Sequence, residues 1–167
     1  MSEPPKDPVK YVETNLHLPY RYAAGDYRAR YLRALKDKKI LGSRCSETRR
    51  VFVPPVVNSP ESFAPSEPDL VEVSDKGVVT TFCIVNIPVQ GRDLEIPYVA
   101  ASVALDGADI SIFSLILECK PEEVRMGIRV QAVWKPDGER RGDHEDIRHF
   151  RPTGEPDAPL ESFIRRL

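Results

Sequence analysis

Cys45 lies in the run Gly42 to Glu61, GSRCSETRRVFVPPVVNSPE, which has the outline of a metal-binding knuckle. Thiolates are strong zinc ligands, but a structural zinc takes four nitrogen or sulfur donors in a tetrahedron. The second thiol of a C-x-x-C pair falls at Thr48, and a following pair falls at about Asn58 and Glu61. None of the three is a cysteine, so no bound zinc is expected and Cys45 is left as a packed or vestigial ligand. Nucleophilic work by Cys45 would need a base to make the thiolate, and nothing in the sequence places His17, His144 or His149 beside it.

Other residues carry weaker chemistry. His144-Glu145-Asp146-Ile147-Arg148-His149 looks like a zincin motif, but its histidines are five apart instead of four. That spacing turns them to opposite sides of a helix or a strand, so the segment reads as a charged connector into a strand. Arg44, Arg49 and Arg50 cluster near Cys45, with geometry suited to phosphates or to pairing with Glu47 and Glu61. Phe52 either joins them in a ligand contact or forms the small core of the knuckle. Tyr98, after a proline at a strand entrance, either lines a barrel mouth or packs inside, and the loop Val89 to Ile96 belongs to the same mouth. No catalytic acid–base or nucleophile constellation emerges.

These residues need a scaffold. Tyr27, Tyr31, Leu32 and Leu35 recur at helical spacing, predicting a helix over Asp26 to Leu35 with Asp26 capping it and Gly42 closing the segment. Before it, Leu16, Leu18, Tyr20 and Tyr22 alternate with polar residues as an extended arm. Tyr20, Tyr22, Tyr27 and Tyr31 together offer an amphipathic docking surface. Beyond Asp69 the apolar period shortens to two. Strands are expected at Val78 to Ile87 (buried throughout), Tyr98 to Leu105, Ile110 to Leu117, Ile128 to Trp134 and Ile147 to Phe150, with a hairpin at Asp106-Gly107. Five short strands with little helix predict a mainly β protein built on a small closed barrel. Pro159 to Leu167 is expected to form a short helix with Leu160, Phe163, Ile164 and Leu167 on one face.

Composition bounds the function. With 24 basic against 26 acidic side chains, the net charge of −2 argues against a nucleic-acid binder. No apolar run approaches the ~20 residues that cross a bilayer, so no membrane partner is expected. Cys45, Cys83 and Cys119 are a poor disulfide framework, which suits a reducing cytoplasm; Cys83 and Cys119 read as buried small hydrophobes. Sixteen prolines gather near both ends and in the middle, cutting the chain into an N-terminal part, a central body and a tail; the units expected are an arm and helix (1–41), the knuckle (42–68), a barrel (69–152) and a tail (153–167).

The helix, the Leu-Gly-x-Arg-Cys turn, the Phe-x-Pro-Pro run and the barrel come in a recognisable order. With them go Tyr20-Arg21-Tyr22-Ala23-Ala24-Gly25, Lys76-Gly77-Val78-Val79, Pro97-Tyr98-Val99-Ala100 and Pro121 to Val130. The chain resembles the zinc-ribbon plus OB-fold acyl-CoA-associated proteins, known as domain of unknown function thirty-five, over roughly residues 18 to 152. The resemblance implies an OB-fold barrel behind a degenerate, metal-free rubredoxin-like zinc ribbon. It also implies a non-catalytic accessory subunit of a thiolase-like enzyme, or of a related aldolase or hydratase, holding or passing acyl-CoA. Coenzyme A thioester would then be a shared substrate, contacted from Arg44, Arg49, Arg50, Phe52 or Tyr98, and this chain itself would bind no cofactor. The alternative use of an OB fold is a module for single-stranded nucleic acid, which needs aromatic residues interleaved with a basic groove.

Overall fold

The computed structural model describes residues 16, 18–88 and 94–166. One α-helix, α1 (Asp26–Lys36), precedes eight strands: β1 (Ile40–Cys45), β2 (Val51–Phe52), β3 (Ser66–Val73), β4 (Lys76–Val85), β5 (Tyr98–Leu105), β6 (Ser111–Ile116), β7 (Arg129–Trp134) and β8 (Ile147–Pro152). The first three form a small antiparallel sheet in the order β2-β1-β3. The other five close into a barrel in the order β4-β5-β6-β8-β7. Closure comes from a parallel contact of β6 with β8 at Ile116 and Phe150, and from β4 pairing with β7 over Lys76 to Val78. This is the OB arrangement, mainly β with one helix, as the strand periodicity predicts.

The helix buries Tyr31 and Leu35 against the same core that holds Ile40, Val73, Val99, Val103 and Phe150. Its amino end departs from the expectation. Gly25, at φ 75°, occupies the cap position, and Asp26 sits in the first turn paired with Arg30 at 3.0 Å. An acidic side chain there complements the helix dipole. Gly42 is no helix stop; it lies within β1, because α1 already ends at Lys36. A Cβ on Gly42 would stand 2.7 Å from Val51 Cγ1 and 3.0 Å from the Phe52 carbonyl oxygen, so β2 approaches closely only over a glycine. The strands also cross two expected boundaries: β1 spans 41/42, and β3 spans 68/69 while pairing with β1 and not with the barrel.

Two apolar segments behave differently from their patterns. β4 is buried only as far as Thr80, and Thr81 to Ile84 are exposed. Past Val79 it has no β7 neighbour and pairs with β5 alone, so the β4–β5 ribbon overhangs the barrel. Cys83 is therefore exposed and Cys119, beyond the end of β6, is half-buried. The tail forms two short 3₁₀ turns, Leu160–Ser162 and Ile164–Arg166, in place of one amphipathic helix. Phe163 is buried against Val78 and Ala104, whereas Leu160 and Ile164 face solvent.

The β5–β6 turn is tied to β7 by a fork. Arg129 donates through Nη1 to Asp106 Oδ1 at 2.9 Å and through Nη2 to Oδ2 at 2.5 Å. Hydrogen bonding from Arg129 holds the Asp106 carboxyl below its ordinary range. A carboxyl depressed on folding contributes stability above its unfolded value, near 3.9, which is lost as pH falls through the lower folded value. Asp106→Asn is therefore expected to flatten the acid limb of a plot of denaturation midpoint against pH below about pH 4. An unchanged acid limb would exclude the fork as its source.

Candidate functional site

The knuckle is two similar turns facing each other. In the first, the Thr48 amide donates to Cys45 Sγ at 3.4 Å and the Arg49 amide to the Cys45 carbonyl at 3.1 Å. In the second, the Ser62 amide donates to Ser59 Oγ at 3.3 Å and the Phe63 amide to the Ser59 carbonyl at 3.0 Å. Arg49 and Phe63 close their turns in the left-handed region, at φ 65° and 60°. The repeated pattern sets the register of the four corners as Cys45, Thr48, Ser59 and Ser62.

This corrects the spacing read from the sequence by one residue. Asn58 instead donates from its amide side chain to the Phe63 carbonyl, and Glu61 pairs with Arg50. Neither faces Cys45, whose sulfur stands 3.6 Å from Ser62 Oγ. Two residues do separate the corners of each turn, but the second turn starts at Ser59. Ser59-Pro60-Glu61-Ser62 matches Cys45-Ser46-Glu47-Thr48 in having a glutamate third and a hydroxyl fourth, and that likeness is a signal that could have found it.

The donor set does not fit a zinc ion: one thiol and three hydroxyls replace four soft ligands. Among the described residues no group of three or more His, Cys, Asp or Glu side chains converges as a metal site. Cys45 is fully buried. The Thr48 side chain and amide, together with Ser62 and the Glu47 amide, pull its thiol down to about 6, against burial that pushes it up. Complete burial denies it a substrate, so it serves as the hydrogen-bonded centre of the knuckle.

The barrel is hydrogen-bonded to the knuckle. The Val51 amide donates to Asp109 Oδ2 at 2.7 Å, and the Asp109 amide returns to the Val51 carbonyl at 2.9 Å. Val51, Phe52 and Val53 are buried, while Val57 is exposed. Phe52 is thus core and not a ligand contact. Of the three arginines, Arg49 pairs with Glu67 and Arg50 with Glu61, and Arg44 is half-buried on β1. Tyr98 is buried as well, so it does not line an open mouth. Of the loop Val89 to Ile96, residues 89–93 lie outside the described residues.

The tyrosines divide. Tyr31 is spent on the chain's own core, and the Tyr27 hydroxyl donates to the Glu67 carbonyl of β3 at 2.9 Å. Tyr20 and Tyr22 are 77% and 66% exposed, and Leu16 and Leu18 of the same arm are also exposed. A second apolar surface is not legible in the sequence: Phe82 and Ile84 on β4, with Ile87 and Ile96 beyond the strand ends, face solvent, and Phe113 is exposed separately on the opposite face of the sheet. Exposed clusters of this kind mark interaction sites. A ten-residue apolar run reads as buried whether or not a neighbouring strand stops short, so only the tertiary register reveals it.

Fold and surface together define a class: an OB-fold protein with a knuckle in front and several large apolar side chains exposed. A family model described as the C-terminal OB-fold domain of ChsH2 matches residues 70–135. A protein of Methanocaldococcus jannaschii named DUF35 domain-containing scaffold protein is 32% identical over 97 residues, covering 58% of this chain and 67% of that one. Another of the same name, from Methanothermobacter thermautotrophicus, is 27% identical over 125 residues, covering 74% of this chain and 80% of its own length. The chain belongs to the DUF35 family of OB-fold proteins. Two solved structures share the fold at 24% identity. One, described as an Ltp2–ChsH2(DUF35) aldolase, has a TM-score of 0.58 over 79% of this chain and 98% of that one. The other, a DUF35-family protein from Sulfolobus solfataricus, has a TM-score of 0.52 over 62% and 75%.

Proposed function

We propose that this chain is a non-catalytic accessory subunit that docks on a thiolase-like enzyme and helps hold or pass its acyl-CoA substrate. The observation that carries the reading is the arm, Leu16 to Tyr22, which presents two leucines and two tyrosines to solvent beside a helix whose own apolar face is already used. Tyrosine is a preferred anchor in protein interfaces, where a ring can bury while its hydroxyl stays hydrogen-bonded. The scaffold names of the relatives and the aldolase complex among the fold neighbours support an enzyme partner. No helix among the described residues is long and apolar enough to cross a membrane.

The nucleic-acid reading loses its basis on the barrel face. Phe82 and Phe113 are exposed, but on opposite faces of the sheet, so they form no shared stacking platform. From Gly77 to Pro88 and from Tyr98 to Leu117, no lysine or arginine occurs. A groove that tracks phosphates needs such charges; an apolar protein partner does not.

Co-expression with the candidate thiolase-like enzyme tests the docking. Wild-type chain is expected to co-purify with it. Replacing Leu16 and Leu18 by Ser and Tyr20 and Tyr22 by Ala should weaken the complex by about 2 kcal/mol or more, roughly thirtyfold in affinity. The melting temperature should stay unchanged, because none of the four side chains is buried. Undiminished capture of this variant would overturn the arm as the docking element.

A further inference from the structure

A cavity of about 330 Å³ opens between the knuckle and the barrel, lined by Arg50, Asp109, Arg165 and Arg166. Three arginines and one aspartate thus line it. Arg166 is fixed but not neutralised by its contacts. It donates through Nη1 to the carbonyls of Leu105 at 3.2 Å and Ala108 at 3.4 Å, and through Nη2 to that of Ser162 at 2.8 Å. Asp109 has its Oδ2 engaged by the Val51 amide. Arg50 reaches the Asp109 carbonyl with Nη2 at 3.2 Å and pairs with Glu61 through Nη1. Asp106 lies nearby, with both carboxylate oxygens already taken by Arg129. Arg165 is exposed and makes no hydrogen bond or ion pair among the described residues.

A wall of positioned guanidinium donors with an excess of positive charge is what a phosphate oxygen cluster requires. The volume falls in the range of small-ligand sites, about 300–1,000 Å³. We infer that this cavity binds a phosphate ester, with Arg166 and Arg50 as the fixed wall and Arg165 as the arm that closes on the anion. The nucleotide end of coenzyme A supplies such a group, so the inference deepens the acyl-CoA half of the function proposed above and rests on it. A free phosphate would satisfy the same donors, and the experiment separates the two sources.

The test is calorimetric titration of the full chain, without any enzyme partner, using coenzyme A, 3′-dephospho-coenzyme A, adenosine 3′,5′-bisphosphate and inorganic phosphate. Coenzyme A and the bisphosphate are expected to bind, more weakly as salt rises, and more tightly than inorganic phosphate. Arg165→Glu should weaken both by about tenfold or more, with an unchanged melting temperature because this side chain supports no other contact. Arg165→Lys should recover part of the loss. Equal binding by wild type and Arg165→Glu would overturn the site, as would the absence of binding by every probe. Binding of all the phosphates through Arg165, with no preference for the nucleotides, would keep the anion site and remove coenzyme A as its ligand. Capture of the enzyme partner is read separately through the arm, so failure of one measurement leaves the other interpretable.

Discussion

Replacing Thr48, Ser59 and Ser62 together by cysteine is expected to turn the knuckle into a zinc site holding one zinc per chain. One side of the required tetrahedron is already present. Cys45 Sγ and Ser62 Oγ stand 3.6 Å apart, and two sulfurs on one tetrahedral zinc stand roughly 3.8 Å apart, given zinc–sulfur bonds of about 2.3 Å. Thr48 and Ser62 occupy equivalent places in two turns with the same backbone hydrogen bonds. Because the turns are preformed, zinc would stabilise by mass action, about 4 kcal/mol at a thousandfold excess over its dissociation constant. Elemental analysis would read the stoichiometry, and a chelator should lower the melting temperature of the variant but not that of the wild type. A triple variant that retains no zinc would show that the corners are set differently. The same substitutions at Thr48, Asn58 and Glu61 are expected to fail, since Asn58 and Glu61 face away from Cys45.

Phe150→Ala is expected to destabilise the protein by about 3–5 kcal/mol. Phe150 is fully buried on β8 and lies at the seam where the barrel closes. Its carbonyl accepts from the Leu117 amide at 2.9 Å, and its position pairs in register with Ile116. Removing the ring leaves a cavity among Val99, Ile116 and Val130 that neighbouring strands cannot fill without breaking their ladders. Against a total of about 5–15 kcal/mol for a domain, the loss is a large fraction of stability. Chemical denaturation would measure it as a shift in midpoint at constant slope. A loss under about 1 kcal/mol would mean that the seam repacks and that Phe150 is not its support.

Residues that act through local periodicity are legible in the sequence alone. Tyr98 to Leu105 is a strand over those same residues, and the Asp106-Gly107 hairpin, the alternation from Ile128 to Trp134 and the helix from Asp26 all stand where their patterns place them. Each follows from side-chain spacing within one segment, which the chain carries wherever it goes. That Cys45 has no cysteine near it in sequence is equally legible, because ligand chemistry belongs to residue type.

What only the tertiary structure decided depends on which segments become neighbours. The sequence implies a second pair of corners, but their register follows from matching hydrogen bonds across two turns. It offers four tyrosines as one docking surface; packing consumes Tyr31, ties Tyr27 to β3 and leaves Tyr20 and Tyr22 for contact. Phe52 and Tyr98 go to the core for the same reason, since an apolar side chain is exposed or buried according to what covers it. The apolar lip at Phe82 and Ile84 arises because β7 stops pairing with β4 near Val79. The cavity of Arg50, Arg165 and Arg166 joins residues more than a hundred positions apart. Sequence by itself determined the helix, the five barrel strands and the family, all properties of local spacing and residue chemistry, but not the three strands of the small sheet. Tertiary structure assigned each exposed and buried face, because burial and electrostatic grouping are properties of non-local packing.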